Sequence, residues 1–348
     1  MKGLRNNFLT KLLNWEYWPF ELLYFPVSVY WVWCSIRAGS PFYFIAANPG
    51  IKNGGMLHDP KYPILQSFEK DKIPVTGLIE FGLSFDSMIK NMKQLALSFP
   101  VIVKPDIGER GLKVALLENE DQLKTYHEHA KFDYLIQEYI TLPLEVGVFY
   151  IRYPNQKHGQ ITSVVVKEML QVTGDGSSTL AELIHDYPRA RLQWDSLKER
   201  FATSLSSIPD KGKVLELESI GNHNRGTTFL DGTDLIDEDL RKVVEGLALQ
   251  VPGFYYGRFD LKCESMKAFK AGETIKILEL NGAKSEPAHI YQPGFPLFKA
   301  YKSIFRHWTI LFKISAMNHK KGVSYMKPLT CYKVFKEYKA YLKMVKSA

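Results

Sequence analysis

The chain has 348 residues, of which 45% are hydrophobic and 24% charged, so it can bury a large core in two or three subdomains and is too apolar for wholesale disorder. A formal net charge of +8 favours anionic ligands: nucleotides, phosphorylated substrates or anionic lipid. The excess is spread along the chain instead of forming a dense Lys/Arg stripe interleaved with aromatics, so nucleic acid is not an expected partner. Cys34, Cys263 and Cys331 are far apart and none belongs to a Cys-x-x-Cys pair. That spacing gives no support to a zinc site or disulfide framework and fits a reducing, cytoplasmic compartment. There is no low-complexity stretch and no internal repeat.

Residues 15–36 read WEYWPFELLYFPVSVYWVWCSI, with nine aromatics between Trp15 and Trp33. Trp15, Trp18, Leu22, Phe25, Val29 and Trp33 recur at steps of three and four, which predicts one shared helical face. Pro19 suits a helix start, whereas Pro26 predicts a kink or a break into two helices. Glu21 and Pro26 interrupt the apolar run before it reaches the ~20 residues of a membrane-crossing helix. Ala38-Gly39-Ser40 is only a weak signal-peptide cleavage motif. Two readings of segment 1–40 remain. One is a helix buried against the core. The other, slightly favoured, is an amphipathic helix at a membrane interface, where Trp and Tyr prefer the headgroup region and the flanking Lys2, Arg5, Lys11 and Arg37 prefer anionic lipid. Residues 301–316, YKSIFRHWTILFKISA, also form a basic amphipathic pattern, for which an ordinary surface helix is the plainer reading. This C-terminal basic helical segment is assigned to 301–348.

Residues 41–98 form a separate region before the central domain. Within it, PFYFIA (41–46) reads as a short buried strand, followed by a Gly/Asn/Pro-rich loop. Phe81 to Leu97 carries a helical pattern. Val101-Ile102-Val103 and residues 134–140 read as apolar strands, and residues 145–153 and 160–169 alternate as antiparallel neighbours. Thr179-x-x-Glu182 is a capping box that opens a helix. A helix over Asp237 to Val251 precedes strands at 256–264 and 274–281 joined by a polar hairpin. The fold class is α+β, with its main domain over 99–300.

Two pieces carry the chemistry. In FPVIVKPDIGERGLKV, a buried strand ends in Lys104, a fixed cation within reach of phosphates. The loop that follows contains Gly108 and Gly111, so backbone amides can approach anionic oxygens. It is not a Walker loop, because no Gly-Lys-Ser/Thr opens a helix. The second piece is the strand pair GRFDLKCE and IKILELNG. Glu279 and Asn281 are two apart and share a strand face, which Ile275 and Ile277 are expected to continue inward. Asp260 is expected opposite them on the neighbouring strand. Two carboxylates and an amide oxygen suit Mg²⁺, and Arg258 shares the side of Asp260, where it can neutralise a transferring phosphoryl group.

The order and content of these pieces over about residues 99–295 resemble the ATP-grasp superfamily, in particular its D-alanine–D-alanine ligase and cyanophycin synthetase-like branches. The resemblance implies two α+β lobes clamping ATP, preceded by a pre-ATP-grasp α/β region and the aromatic N-terminal helix. It implies phosphate contacts from Lys104, Lys167 and the loop Gly108–Leu112, and an adenine-side hinge at Gln137, Glu138, Tyr139 and Ile140. Glu145 matches the ribose-binding carboxylate. Asp260, Glu279 and Asn281 match ligands of Mg²⁺, with Mn²⁺ as the alternative ion. Arg258 and Lys167 match catalytic cations. In VTGDGSSTLAELI, Ser177 stands where the cyanophycin branch has lysine. Arg225, in GNHNRGTTFLDGTD, which resembles that branch's Asn-containing loop, is a third catalytic candidate facing the substrate or the phosphate, the alternative being a surface arginine. After the metal motif, Ser285, Glu286, His289 and Tyr291 are candidates for an acceptor pocket.

The implied activity is ATP-dependent ligation of a carboxylate to an amine through an acyl phosphate. The alternatives are a kinase that phosphorylates a hydroxyl on the same ATP site, and a non-catalytic membrane-docked nucleotide-binding module. The expected partners are small-molecule or lipid-linked acid and amine substrates, an anionic membrane surface and a second copy of the chain. The expected location is the cytoplasm, peripheral on the inner face of the membrane.

Overall fold

The computed structural model describes residues 2–348, with side chains from Asn7 onward. Helices α1 (Lys2–Leu13) and α2 (Phe20–Ala38) flank a 3₁₀ turn at Trp15–Tyr17. Further 3₁₀ turns at Tyr43–Ala47 and Lys52–Gly55 lead to α3 (Lys61–Leu65). A first sheet follows, made of β1 (Thr76–Ile79), β2 (Val101–Pro105), β3 (Ala115–Leu117) and β4 (Tyr134–Glu138) in the order β1-β4-β2-β3. Between these strands run α4 (Phe85–Gln94) and α5 (Glu120–His129). Met88, Met92 and Leu123 from the two helices pack on Ile79, Val101, Val103 and Ile136 of the sheet.

The chain then enters a second sheet through β5 (Leu144–Ile151) and β6 (Gln160–Glu168). It leaves for a small module of β7 (Gln171–Thr173), α6 (Leu180–Asp186), α7 (Pro188–Arg191), α8 (Trp194–Arg200) and β8 (Val214–Glu216). It returns as β9 (Thr228–Asp231), α9 (Glu238–Leu249), β10 (Tyr256–Cys263), α10 (Met266–Lys270) and β11 (Ile275–Asn281). The order is β11-β10-β5-β6-β9, and every strand pair in both sheets is antiparallel. One face buries Val146, Val148, Phe259 and Leu261 against Leu240, Val244 and Leu247 of α9. Helices α11 (Leu297–Lys320) and α12 (Pro328–Ser347) close the chain. The fold is thus the expected α+β pair of antiparallel sheets. The capping box at Thr179 is present with both of its hydrogen bonds.

Four local expectations are corrected. Residues 41–46 are not a strand: Tyr43–Ala47 is a buried 3₁₀ turn. Its carbonyls find their donors on α11, where the Ser315 hydroxyl donates to Tyr43 and the Asn318 amide donates to Ala46 and Ala47 at 2.9 and 3.2 Å. With side-chain donors supplied, no ladder partner is needed. Second, α2 continues through Pro26 as one helix, so the alternative of a break into two helices does not occur; Leu23 and Val27 are buried on either side of the proline. Third, the polar hairpin between β10 and β11 contains the short helix α10, capped by Ser265. Fourth, Ile275 and Ile277 do not share the face of Glu279 and Asn281. Asp260 pairs with Glu279 but Leu261 pairs with Ile277, so Leu278 is an extra residue in the ladder. This bulge flips the alternation, placing Leu280 with the isoleucines in the core and the polar pair on the other face. Among the described residues no helix is long and apolar enough to cross a membrane.

Replacing Asn318 with Leu should strip two buried carbonyls of their donor and cost about 1–3 kcal/mol. A urea-unfolding midpoint equal to that of the unsubstituted protein would show that the 3₁₀ turn does not depend on this bond.

Candidate functional site

The two sheets face each other across a cleft of about 430 Å³, a size suited to a cofactor or drug-sized ligand. Its floor is the polar face that the β11 bulge creates. Asp260 is the centre. Its carboxylate accepts from Arg258 Nη2 at 2.9 Å and Nε at 3.1 Å, from Asn281 Nδ2 at 3.1 Å, and pairs with Lys167 Nζ at 3.1 Å. Burial alone would raise its pKa, but Arg258 and Lys167 outweigh burial and hold it down at about 2. Opposite on β5 stands Gly147, where a Cβ would lie 3.2 Å from Asp260 Oδ1 and 2.8 Å from Val165. A side chain there would crowd the cluster.

Lys167 also donates to Glu145 Oε1 at 2.7 Å and to the Gly221 carbonyl at 3.0 Å. Burial disfavours its charge, but Asp260 and Glu145 overcome that and raise its pKa. Lys104 differs. It donates to Gln137 Oε1 at 3.1 Å and to the Leu278 carbonyl, freed by the bulge, at 3.0 Å. Among the described residues no carboxylate lies within ion-pair distance of it. Burial lowers its pKa to about 8, with Glu279 only partly offsetting this. A buried lysine bonded only to neutral oxygens leaves its charge to be matched by a ligand anion.

The loop after β2 presents donors to the same space. The backbone N–H groups of Gly108, Glu109, Arg110 and Gly111 have no acceptor among the described residues. Arg110 and Gly111 both sit at positive φ, 54° and 71°, a conformation that points successive amides to one side. Its carbonyls are gripped from behind. Lys61 Nζ donates to Gly108 at 2.6 Å, and Arg225 Nη2 donates to Gly111 and Val114 at 3.0 Å each. Arg225 therefore braces the loop and does not line the cleft, correcting the expectation that it faces a reacting phosphate.

All four expected hinge residues, Gln137, Glu138, Tyr139 and Ile140, line the cleft, with Lys262 Nζ bonded to the Ile140 carbonyl at 2.9 Å and lying 5.5 Å from the Tyr139 ring. The Gln137 side chain accepts from Lys104 at 3.1 Å and donates to Thr76 at 2.8 Å. Glu286 and Tyr291 line the cleft, joined by a 3.0 Å hydrogen bond. His289 is turned into the protein against Ser163 at 2.7 Å, and Ser285 bonds the Asn281 carbonyl at 2.6 Å. Ser177 belongs to an Asp175 turn in the small module.

Sequence reasoning missed Lys61, which lies 3.6 Å from Glu279. Burial lowers the lysine's pKa. Its available signal was Asp59-Pro60-Lys61 opening a helix. It also missed that the N-terminal segment walls the cleft through Glu16, Trp18, Phe20 and Leu23. Buried Glu16 pairs with Arg189 at 2.8 Å and His223 at 3.0 Å, and Arg110 lies 4.8 Å from the Phe20 ring centre.

Among the described residues no three His, Cys, Asp or Glu side chains gather as a self-sufficient cage for a metal ion. Asp260, Glu279 and Asn281 offer two carboxylates and an amide, all hard oxygen donors, with the Glu279 side chain 28% exposed to the cleft. Burial opposes the charge on Glu279, yet Lys61, Lys284 and Lys104 keep its pKa lowered. A partial oxygen set of this kind suits an ion whose remaining ligands are phosphate and water.

Residues 60–149 match the family model described as the RimK-like ATP-grasp domain. The chain is 25% identical over 178 residues to a cyanophycin synthetase of Trichormus variabilis, a match covering 44% of this chain and 19% of that protein. It is 21% identical over 277 residues to the glutathione biosynthesis bifunctional protein GshAB of Enterococcus faecalis, covering 69% of this chain and 35% of the relative. The chain thus spans about a fifth to a third of the length of these curated relatives. Among solved structures, D-alanine–D-alanine ligase from Bacillus anthracis superposes with a TM-score of 0.41 at 14% identity, over 76% of this chain and 69% of that one.

Lys104 supplies a test by pH. In the free protein it loses its proton as pH rises through about 8, and a bound polyphosphate raises its pKa again. Nucleotide binding at pH 9 should therefore take up a proton, approaching about one per nucleotide, and at pH 6.5 almost none through this group. Calorimetry in buffers of different ionisation enthalpy reads the uptake, which Lys104→Met should remove. Uptake unchanged in that variant would assign the proton elsewhere. Residues 60–149 thus match a RimK-like ATP-grasp domain, and they lie in a chain whose paired antiparallel sheets enclose a cation-lined cleft.

Proposed function

We propose that the protein is an ATP- and Mg²⁺-dependent ligase that activates a carboxylate as an acyl phosphate and joins it to an amine. The observation that carries this reading is buried Lys104, with no carboxylate at ion-pair distance among the described residues, in the same cleft as four open loop amides and a partial oxygen set for a metal. That combination is built for a polyphosphate with its cation. Asp260, Glu279 and Asn281 would hold Mg²⁺, or Mn²⁺ in its place, and the ion would neutralise charge on the β- and γ-phosphates.

This chain's residues would do the rest. Lys104, Lys61 and the amides of Gly108–Gly111 bind the phosphate oxygens. Glu138, Tyr139 and Ile140 form the wall for the base, and Glu145, bonded to Lys167, faces the ribose. A substrate carboxylate oxygen attacks the γ-phosphorus, the bond to the β-phosphate oxygen breaks, and ADP leaves. Arg258 and Lys167, fixed by Asp260 in advance, stabilise the charge on the transferring group without reorganising. The amine nitrogen then attacks the acyl carbon, expels phosphate and loses a proton. Glu286, hydrogen-bonded to Tyr291 at the cleft wall, is a carboxylate that can receive it. Trp18 and Phe20 along the same wall favour an acid with an apolar body, amphiphilic or lipid-linked, met at an anionic membrane surface.

Phosphate release measured with Mg-ATP should require both a pool of carboxylic acids and a pool of amines. Glu279→Ala should lower it by about 10²–10³-fold, the size of effect seen on removing one electrostatic stabiliser of a transition state. ADP formed with a stable phosphorylated product and no amine requirement would instead identify a kinase.

A further inference from the structure

We propose that helices α2 and α11 together form a docking face for an anionic lipid surface. On α2, Leu22, Phe25, Val29, Val32, Trp33 and Ile36 fall at helical spacing along one side and are 46% to 76% exposed. The opposite side of the helix, with Leu23, Val27 and Cys34, is buried. Scattered exposed apolar residues are ordinary, but a continuous stripe of six is not. No described part of the chain covers it.

Helix α11 lies alongside and runs in the same direction. Tyr301 donates to the Leu23 carbonyl, Tyr30 bonds Thr309, and Trp33 meets Phe312, so the contacts advance together along both helices. Lys299, Lys302, Arg306, Lys313 and Lys320 are exposed on α11. Their steps of three, four, seven and seven put them on one side, next to the α2 stripe. Arg37 extends the row, lying over the Trp33 and Phe312 rings. Across both helices the sole carboxylate is Glu21. An apolar stripe bordered by a cation row is complementary to acyl chains under anionic headgroups. A two-fold dimer through the same face would oppose like cation rows, which anionic lipid would neutralise.

The first turn of α2 also borders the cleft, since Phe20 and Leu23 line it from the side of the helix opposite the stripe. Docking would therefore hold α2, one wall of the cleft, against the membrane and bring the site close to amphiphilic acids there. This last consequence rests on the ligase reading; the docking face itself does not.

The test uses the full chain and sucrose-loaded vesicles of phosphatidylcholine, with or without roughly one-third phosphatidylglycerol. Cosedimentation should favour the anionic vesicles by at least about tenfold. Phe25→Ser/Val29→Ser/Ile36→Ser and Lys302→Glu/Arg306→Glu/Lys313→Glu should each lower binding by about tenfold or more. Both variants should bind Mg-ATP as the unsubstituted protein does, which establishes that they are folded. No binding by the unsubstituted chain, or binding untouched by the charge reversal, would overturn the proposal. So would a lipid-free dimer in sedimentation that the serine variant dissolves. Because the readout is vesicle binding without turnover, a failed ligase assay leaves it intact.

Discussion

The ionised carboxylate of Asp260 is the constraint on which the rest of the site depends. It is buried at the centre of a sheet with Arg258, Lys167 and Asn281 bonded to it. Removing one partner from a buried ion cluster leaves an unpaired charge, at a cost of roughly 3–5 kcal/mol. The cluster therefore fixes its own geometry: Arg258 and Lys167 cannot wander while Asp260 stays charged. Gly147 on the next strand and the bulge at Leu278 both serve this arrangement, one by leaving room and the other by turning Glu279 and Asn281 to the same face.

Lys104 is held differently. The carbonyl exposed by that bulge and the Gln137 amide satisfy its hydrogen bonds without cancelling its charge. Lys167 is already neutralised by carboxylates, whereas Lys104 is not. The two lysines therefore divide the work. One completes a rigid electrostatic floor, and the other leaves a positive potential for an incoming anion.

Much of this was legible in the sequence, and the failures have physical reasons. Lys104 could be found because a strand end followed by glycines is a local signal. Asp260, Glu279 and Asn281 could be found because period-two spacing is local too. The face assignment of Ile275 and Ile277 failed because a bulge depends on the partner strand's register. The strand expected at 41–46 failed because its carbonyl donors, Ser315 and Asn318, lie 272 and 271–272 residues away. Glu16 gave no signal either, since its partners Arg189 and His223 come 173 and 207 residues later. Arg225 was found as a loop arginine, but only the fold shows which way it points.

The grip on the loop after β2 ties these distant parts together. Amides can face an anion only if the carbonyls between them are turned away and satisfied elsewhere. Lys61, from the region before the first sheet, takes the Gly108 carbonyl, and Arg225, from the segment after the small module, takes Gly111 and Val114. Arg110, between them, stacks over Phe20 at the start of α2. The loop's conformation is thus specified by three segments remote from it in sequence. Glycines alone would leave it many conformations and a large ordering cost on binding. Bracing the carbonyls removes part of that cost beforehand, which explains why the region before the first sheet and the segment after the small module belong to the site although neither bonds Asp260.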